Sequence, residues 1–246
     1  MNRFRFQLLL CGILVATMVS LSHAGLGDLV NQAKDTLAVP PKASTGNLSD
    51  TDMTQGLKEA LNVGTGNAVE LLSRTDGFYA DPNVKILLPD AVRKVEGLLK
   101  AVGYGEQVTA FEQSMNRAAE RAVPEAKSLF VNAITEMTFQ DAEKILRGRE
   151  NEATLFFKEK TSGRLRELFK PIAHDAMGEV GVTKNYQDLN EKLGTIPMGS
   201  QLNLDLDGYV TEKTLDGLFF MIAREEKQIR QNPAARVTDI LKKVFK

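Results

Sequence analysis

The chain has 246 residues, of which 43% are hydrophobic and 26% charged, so it is long enough to bury a sizeable core. Its formal net charge is -1, which excludes the basic excess that binding to a nucleic-acid backbone requires. The single cysteine, Cys11, lies close to the N-terminus. We therefore expect no disulfide and no thiol nucleophile in the remainder of the chain.

The first 24 residues have the pattern of a cleaved signal peptide. Arg3 and Arg5 form a basic start, and an apolar stretch follows over residues 8–21. That stretch is too short, and contains too many polar residues, to be a typical transmembrane helix. Ser22 and Ala24 are small residues at the two positions that a signal peptidase reads, so cleavage is predicted after Ala24. We expect an exported mature protein without a transmembrane segment.

Residues 25–48 differ in character from the rest of the mature chain. A short amphipathic helix is predicted over residues 25–38, and the stretch behind it contains Pro40-Pro41 and small polar residues typical of a linker. No composition shift marks a further boundary, so residues 49–246 are predicted to form a single helical domain.

The densest apolar pattern runs from Glu106 to Gly148, in the middle of the chain. Apolar residues recur there at helical spacing on both sides of Pro124, which lacks an N–H and is predicted to kink or break the helix. The first half is rich in alanine, which would let a neighbouring helix approach closely. We therefore predict a mainly α-helical fold, a multi-helix bundle around this central kinked helical hairpin.

Boundary signals divide the rest of the domain into further helices. Gly64 and Gly66 are predicted to interrupt the first of them, and Pro171 is predicted to kink a later one. Thr138 and Asp141 have the spacing of a capping box, with Asp in place of the usual Glu, so a helix is predicted to begin there.

Two short segments favour β-strands instead. Val84–Leu88 is β-branched at its start, and Gln201–Leu206 alternates polar and apolar residues with period two. We predict that these segments pair as a small two-stranded antiparallel element.

The stretch that begins at Asn203 resembles in part the twelve-residue calcium loop of an EF-hand. Asn203, Asp205 and Asp207 supply oxygen side chains at the first, third and fifth positions, and Gly208 follows at the sixth. Thr214, however, stands where the loop needs a bidentate Glu. The pattern therefore favours a turn, in which Asp205 or Asp207 caps the following helix, and a metal site is the less favoured interpretation. No cofactor is predicted.

A polar cluster lies within the central helix. The cluster consists of Asn116, Arg117, Glu120 and Arg121, in which Glu120 and Arg121 lie three and four residues after Arg117 and are therefore its neighbours on the helix surface. One interpretation is a ligand-binding cleft that holds a carboxylate or another anion through arginine. The other interpretation, favoured because structural ion-pair networks are common, is a buried or half-buried network that ties helices together.

No pattern identifies catalytic residues. His174 is the only histidine after the predicted signal peptide, so a transition-metal site that needs a second His or Cys is not expected. The sequence contains neither a Gly-x-Ser-x-Gly elbow nor a phosphate-binding loop. Glu225 and Glu226, with Lys227 and Arg230, are interpreted as the solvated face of a long helix.

Five segments carry a resemblance to a known family. They are GLKEAL at Gly56–Leu61, MNRAAE at Met115–Glu120, MTFQDAEKIL at Met137–Leu146, YVTEKTLDGLF at Tyr209–Phe219 and EEKQIRQNPAARVTDILKKVF at Glu225–Phe245. Together they resemble exported bacterial proteins grouped as domain of unknown function 4197, over nearly the whole mature chain. The resemblance implies a helical protein with a signal peptide, located in the periplasm of bacteria with two membranes, and it implies no activity.

These observations leave three functional hypotheses. The preferred one is a non-enzymatic binding or scaffolding protein of the periplasm, with a protein or small-molecule partner. The second is a hydrolase-like enzyme with a polar cleft near Asn116–Glu120, which uses carboxylates, or His174 with a serine. The third is a carrier of a hydrophobic ligand, in which Leu155–Phe157 and Leu165–Ile172 line a cavity.

Overall fold

The computed structural model describes residues 50–179, 181–195 and 204–231. These residues all belong to one compact unit, Leu48–Lys246. The predicted signal peptide, the segment 25–48 and the predicted last helix from residue 233 lie outside the described residues.

The described residues are mainly helical, as predicted. The α-helices are α1 (Asp50–Ser73), α2 (Asp90–Ala101), α3 (Gly105–Ala122), α4 (Ala126–Thr135), α5 (Phe139–Arg147), α6 (Glu152–Glu179), α7 (Val182–Thr195) and α8 (Leu206–Gln231). None of the helices in these ranges is both long enough and apolar enough to cross a membrane.

Helix α3 lies at the centre of the packing. It contacts α1, α2, α6, α7 and α8. Its side chains Phe111 and Met115 are completely buried, and so are the alanines Ala118, Ala119 and Ala122. The burial of these small residues agrees with the predicted close approach of neighbouring helices, because the distance between helix axes follows side-chain size.

Two of the predicted helix boundaries are confirmed. Pro124 ends the central helix, since Val123–Glu125 forms a 3-10 helix between α3 and α4. Thr138 and Asp141 form the predicted capping box at the start of α5. The Asp141 amide donates to the Thr138 hydroxyl at 3.2 Å, and the Thr138 amide donates to the Asp141 carboxylate at 3.0 Å.

The prediction that Gly64 and Gly66 interrupt the first helix is wrong, because α1 runs through both. A Cβ atom on Gly64 would lie 3.3 Å from Ile229 Cδ1 and 3.5 Å from Glu225 Cβ, so this glycine marks the place where α8 packs closely against α1. Close packing thus outweighs the low helix propensity of glycine here. Helix α6 contains Pro171, and the predicted kink at that residue stays a prediction.

The predicted two-stranded element is also wrong within the described residues, which contain no strand. Val84–Leu88 has no regular secondary structure, although Val84, Ile86 and Leu88 alternate into the core as a strand would place them. At the other predicted strand, Leu206 is the first residue of α8, and Gln201–Asn203 lie outside the described residues. At Val84–Leu88, therefore, alternating side chains are buried without strand pairing.

Candidate functional site

Asn116 of the predicted ligand-binding cluster is completely buried and bonds the protein's own backbone. Its Oδ1 accepts a hydrogen bond from the Ile86 amide at 2.8 Å, and its Nδ2 donates to the Ile86 carbonyl at 2.8 Å. The same Nδ2 donates to the Glu112 carbonyl at 2.8 Å. The side chain therefore holds the segment between α1 and α2, residues 74–89, against α3.

Glu120 performs a similar role one turn further along α3. Its Oε1 accepts from the amides of Phe78 at 3.1 Å and Tyr79 at 3.4 Å, and its Oε2 accepts from Arg117 Nη1 at 2.7 Å. Arg117 Nη2 also donates to Asp76 Oδ1 at 2.6 Å. Burial alone would lower the pKa of Arg117, but its hydrogen bonds to Glu120 and Asp76 hold that pKa above its usual value.

Arg121, the fourth member of the cluster, lies apart from this network. It forms an ion pair with Glu179 at the end of α6, and both side chains are largely exposed. The structure thus brings Asn116, Arg117 and Glu120 together on residues 74–89, in the arrangement expected of a structural network. A ligand-binding role for the four residues stays a prediction.

The residues of the predicted metal loop lie at the start of α8. Asp205 Oδ1 accepts from the Gly208 amide at 2.9 Å and so caps the helix, which is the alternative that the sequence favoured. Asp207 lies in the first helical turn, and α8 continues through Thr214, so the chain does not wrap around an ion as an EF-hand loop does. Asn203 lies outside the described residues, which contain no group of three metal-ligating side chains.

His174 is paired with Asp207, which the sequence did not indicate. His174 Nδ1 lies 2.9 Å from Asp207 Oδ2, and the His174 side chain is 67% exposed. A nucleophilic triad would also need a serine or threonine hydroxyl that is hydrogen-bonded to Nε2 of the ring. Within the described residues no serine or threonine makes that contact, so the geometry is that of a surface pair between α6 and α8.

A buried network around Glu226 corrects the interpretation of Glu225 and Glu226 as solvated, since these residues are 7% and 6% exposed. The Glu226 carboxylate accepts from the amides of Ala153 at 3.0 Å and Thr154 at 2.9 Å, at the N-terminus of α6. Arg230 donates to the same carboxylate at 2.8 Å. A side chain from α8 therefore caps α6, where an anion is favoured.

The spacing along α8 could have indicated this burial. Glu225 and Glu226 lie three and four residues after Ile222, and Ile229 follows at the seventh position. These positions share one helix face, and both isoleucines belong to the interior. A carboxylate on such a face needs a buried partner.

A second feature that the sequence analysis missed is a cleft of about 180 Å³ between α4, the start of α5, and α6. We call it the α4–α6 cleft. Its lining residues are Leu129, Asn132, Ala133, Glu136, Thr138, Asp141, Phe156, Lys160, Thr161 and Arg164. Glu136, Lys160 and Arg164 are exposed, whereas Asp141 and Phe156 are half-buried. Apolar, acidic and basic side chains therefore meet in one small depression.

The charges of the α4–α6 cleft are not paired with one another. Neither Lys160 nor Arg164 forms an ion pair with an acid in the described residues, and Glu136 forms none with a base. Hydrogen bonds from the Thr138 hydroxyl and amide lower the pKa of Asp141, and the positive charge of Lys160 contributes to the same shift. The Asp141 carboxylate is therefore ionised at neutral pH.

A larger and more open groove, of about 600 Å³, lies beside Tyr209. Its cations are already paired: Lys85 with Glu112 at 3.2 Å, and Arg93 with Asp90 at 2.6 Å. The Tyr209 hydroxyl donates to a backbone carbonyl, that of Leu87. This groove therefore offers fewer unused polar groups than the α4–α6 cleft.

Fold and geometry together define a mainly helical protein whose candidate site is a small charged cleft between helices. The family model described as "Protein of unknown function (DUF4197)" matches residues 47–246, so the chain belongs to this family, and the resemblance seen in its motifs is confirmed. Neither the curated proteins nor the solved structures contain a significant match.

Proposed function

We propose that this protein is exported to the periplasm and acts there as a binding protein for a small polar ligand, with the α4–α6 cleft as its binding site. The observation that carries the proposal is a set of charges that form no ion pair within the described residues, Glu136 on one side of the cleft and Lys160 with Arg164 on the other. Exposed ionic groups of this kind can bind a ligand, and charge-assisted hydrogen bonds are the strong ones.

Export is supported by the signal-peptide pattern of residues 1–24. The intact mass of the protein from a periplasmic extract tests this part. We expect a chain that begins at Gly25. A full-length chain in the membrane fraction would contradict export with cleavage.

A hydrolase-like enzyme with a polar cleft near Asn116–Glu120 draws less support than a binding protein. The Glu120 carboxylate already accepts hydrogen bonds from two backbone amides and from Arg117. A general base must instead be free to reach a proton of the substrate or of a water molecule. Asn116 likewise uses both ends of its amide on Ile86.

A carrier of a hydrophobic ligand draws less support. Phe157, Leu165 and Phe169, on the helix that was predicted to line its cavity, are completely buried in the core. Phe157 packs edge-on against Phe130, with ring centroids 5.3 Å apart. An apolar pocket beside Leu57 measures about 10 Å³, roughly the least that one water molecule needs.

Native mass spectrometry of protein isolated from a periplasmic extract tests the binding site. We expect the wild-type protein to carry a small mass that is lost on denaturation. The double variant Lys160→Ala, Arg164→Ala should lose this mass, because it removes the cationic side of the cleft. Lys170→Ala is the matched control, since it removes an exposed lysine of the same helix outside the cleft. A mass carried equally by all three proteins, or by none, would count against the site.

A further inference from the structure

The α4–α6 cleft has two walls of opposite charge. On α4 and the residue behind it, Leu129, Asn132 and Glu136 recur at helical spacing and face the cleft. On α6, Phe156, Lys160 and Arg164 recur every four residues and face it from the other side. The side of α6 is cationic and the side of α4 and α5 is acidic.

The cationic wall is suited to a carboxylate. Lys160 and Arg164 are neighbours at a spacing of four residues, and the guanidinium fork of arginine matches the geometry of a carboxylate. The Lys160 ammonium lies 6.0 Å from the centre of the Phe156 ring, so it is held over the apolar part of the cleft. Both side chains are exposed, and they remain free of ion pairs with the described acids.

The acidic wall is suited to an ammonium group. Asp141 uses its Oδ2 to accept from the Thr138 amide at 3.0 Å and the Thr138 hydroxyl at 2.7 Å. Its Oδ1 accepts from no donor in the described residues. Glu136 adds a second carboxylate, and the Asn132 amide lies beside it on the same wall.

The charges across the cleft form no ion pair with each other, although the positive charge of Lys160 is near enough to contribute to the lowered pKa of Asp141. No nitrogen of Lys160 or Arg164 lies within 4 Å of a carboxylate oxygen of Glu136 or Asp141, since a pair at that distance would be an ion pair. A ligand with a single charge would satisfy one wall and be repelled by the other. A ligand with both charges satisfies both walls at once.

The size and the apolar lining of the cleft restrict the ligand further. A volume of about 180 Å³ is below the range of drug-sized sites, about 300–1,000 Å³, and slightly above a cavity of about 150 Å³ that accepts benzene. Leu129, Ala133 and Phe156 supply an apolar surface between the charged walls. This space fits a molecule of amino-acid size.

We propose that the α4–α6 cleft binds a free amino acid with an apolar side chain, its carboxylate on Lys160 and Arg164 and its ammonium group on Glu136 and Asp141. This inference rests on the proposed function and specifies the ligand class of the same site. The apolar side chain lies against Leu129 and Phe156.

Isothermal titration calorimetry of the mature protein tests the ligand class. The standard L-amino acids are titrated singly, and the best binder is compared with two analogues, the amine without its carboxylate and the acid without its ammonium group. We expect each analogue to bind at least tenfold more weakly, because each leaves one charged wall without a partner. The class is overturned if no amino acid binds, or if either analogue binds as tightly as its parent.

Substitutions on each wall of the cleft test whether both walls contribute to binding the amino acid. Arg164→Ala and Glu136→Gln should each weaken the best amino acid at least tenfold, whereas Lys170→Ala and Glu167→Gln, exposed on α6 outside the cleft, should leave its affinity unchanged. Circular dichroism confirms that each variant is folded. Unchanged affinity in Arg164→Ala would overturn the inference.

The two proposals fail in different ways. If native mass spectrometry finds a ligand that depends on Lys160 and Arg164 but is not a zwitterion, the binding site stands and only the ligand class is overturned. If no amino acid binds and the native mass shows no dependence on these side chains, both proposals are overturned.

Discussion

The amide side chain of Asn116 pairs with the backbone of Ile86 as a neighbouring strand would. Its Oδ1 accepts from the Ile86 N–H, and its Nδ2 donates to the Ile86 carbonyl, both at 2.8 Å. One side chain on a helix thus satisfies both backbone groups of a buried residue, groups that would otherwise be costly to bury. The segment 74–89 can therefore cross the core without being part of a sheet.

Replacing Asn116 tests how much this pairing stabilises the fold. Asn116→Ala removes both hydrogen bonds and leaves the Ile86 N–H and carbonyl buried without partners. We expect the free energy of unfolding to fall by about 2–4 kcal/mol, since each unsatisfied buried group costs about 1–3 kcal/mol. Urea unfolding measures the change. Gln113→Ala, exposed on the same helix, is the control and should change stability by less than about 0.5 kcal/mol.

The same relationship explains why a strand was predicted where there is none. Val84, Ile86 and Leu88 are buried, whereas Leu87 is 50% exposed. This alternation follows from an extended chain that crosses a surface, whatever its backbone pairs with. The β-branched start of the segment favoured an extended chain, but the group that pairs with its backbone, Asn116, lies 30 residues away along the chain.

Other features could not be predicted from the sequence because they depend on residues that are far apart along the chain. The helical periodicity of α3 and the capping box at Thr138 are local signals, and both were predicted correctly. The α4–α6 cleft draws its lining from three helices, so no local pattern reveals it. Gly64 was read as a helix breaker because its packing partner, Ile229, belongs to another helix.

The Glu226 network predicts a large effect from a single substitution in α8. Glu226→Ala removes the anion that caps α6 and its ion pair with Arg230, whose guanidinium keeps its hydrogen bond to the Ile145 carbonyl. We expect a loss of about 3 kcal/mol, because the buried amides of Ala153 and Thr154 and the ion pair all lose the carboxylate. Glu226→Gln should cost less, since its amide oxygen still accepts a hydrogen bond.

Hydrogen exchange distinguishes this capping role from a general loss of packing. In Glu226→Ala the amides of Ala153 and Thr154 should exchange faster relative to the amides in the middle of α6, because these two N–H groups lose their acceptor. Lys227→Ala, exposed on the same helix, serves as the control. Equal acceleration throughout the protein would show that Glu226 does not act as a cap.

Two glycine-to-alanine substitutions should have opposite effects. At Gly66 a Cβ would meet nothing within 4 Å, so Gly66→Ala should stabilise the protein by about 0.5–1 kcal/mol through helix propensity. At Gly217 a Cβ would lie 2.6 Å from Phe78 Cε1 and 3.3 Å from Val84 Cβ. The collision should outweigh the gain in propensity and destabilise by about 1–2 kcal/mol. Thermal unfolding of the two variants shows whether each substitution stabilises or destabilises the protein. Stabilisation by Gly217→Ala would show that residues 74–89 are loosely packed on α8.

The capping box at the start of α5 should make stability depend on pH. Hydrogen bonds from the Thr138 hydroxyl and amide lower the pKa of Asp141, so the folded state favours the ionised carboxylate. The resulting stabilisation is complete above the unfolded pKa, about 4, and is lost as the pH falls through the lower folded pKa. Asp141→Asn should therefore be less stable than the wild type at pH 7, by about 1 kcal/mol, because it removes the charged acceptor of the capping box while Thr138 still caps the helix, and the difference should shrink below about pH 4. Urea unfolding across this pH range measures the difference in stability.

The control is Gln140→Ala, which changes an exposed neighbour that does not titrate. Its stability should differ from that of the wild type by the same amount at every pH. A constant difference for Asp141→Asn as well would mean that the Asp141 carboxylate is not the titrating group.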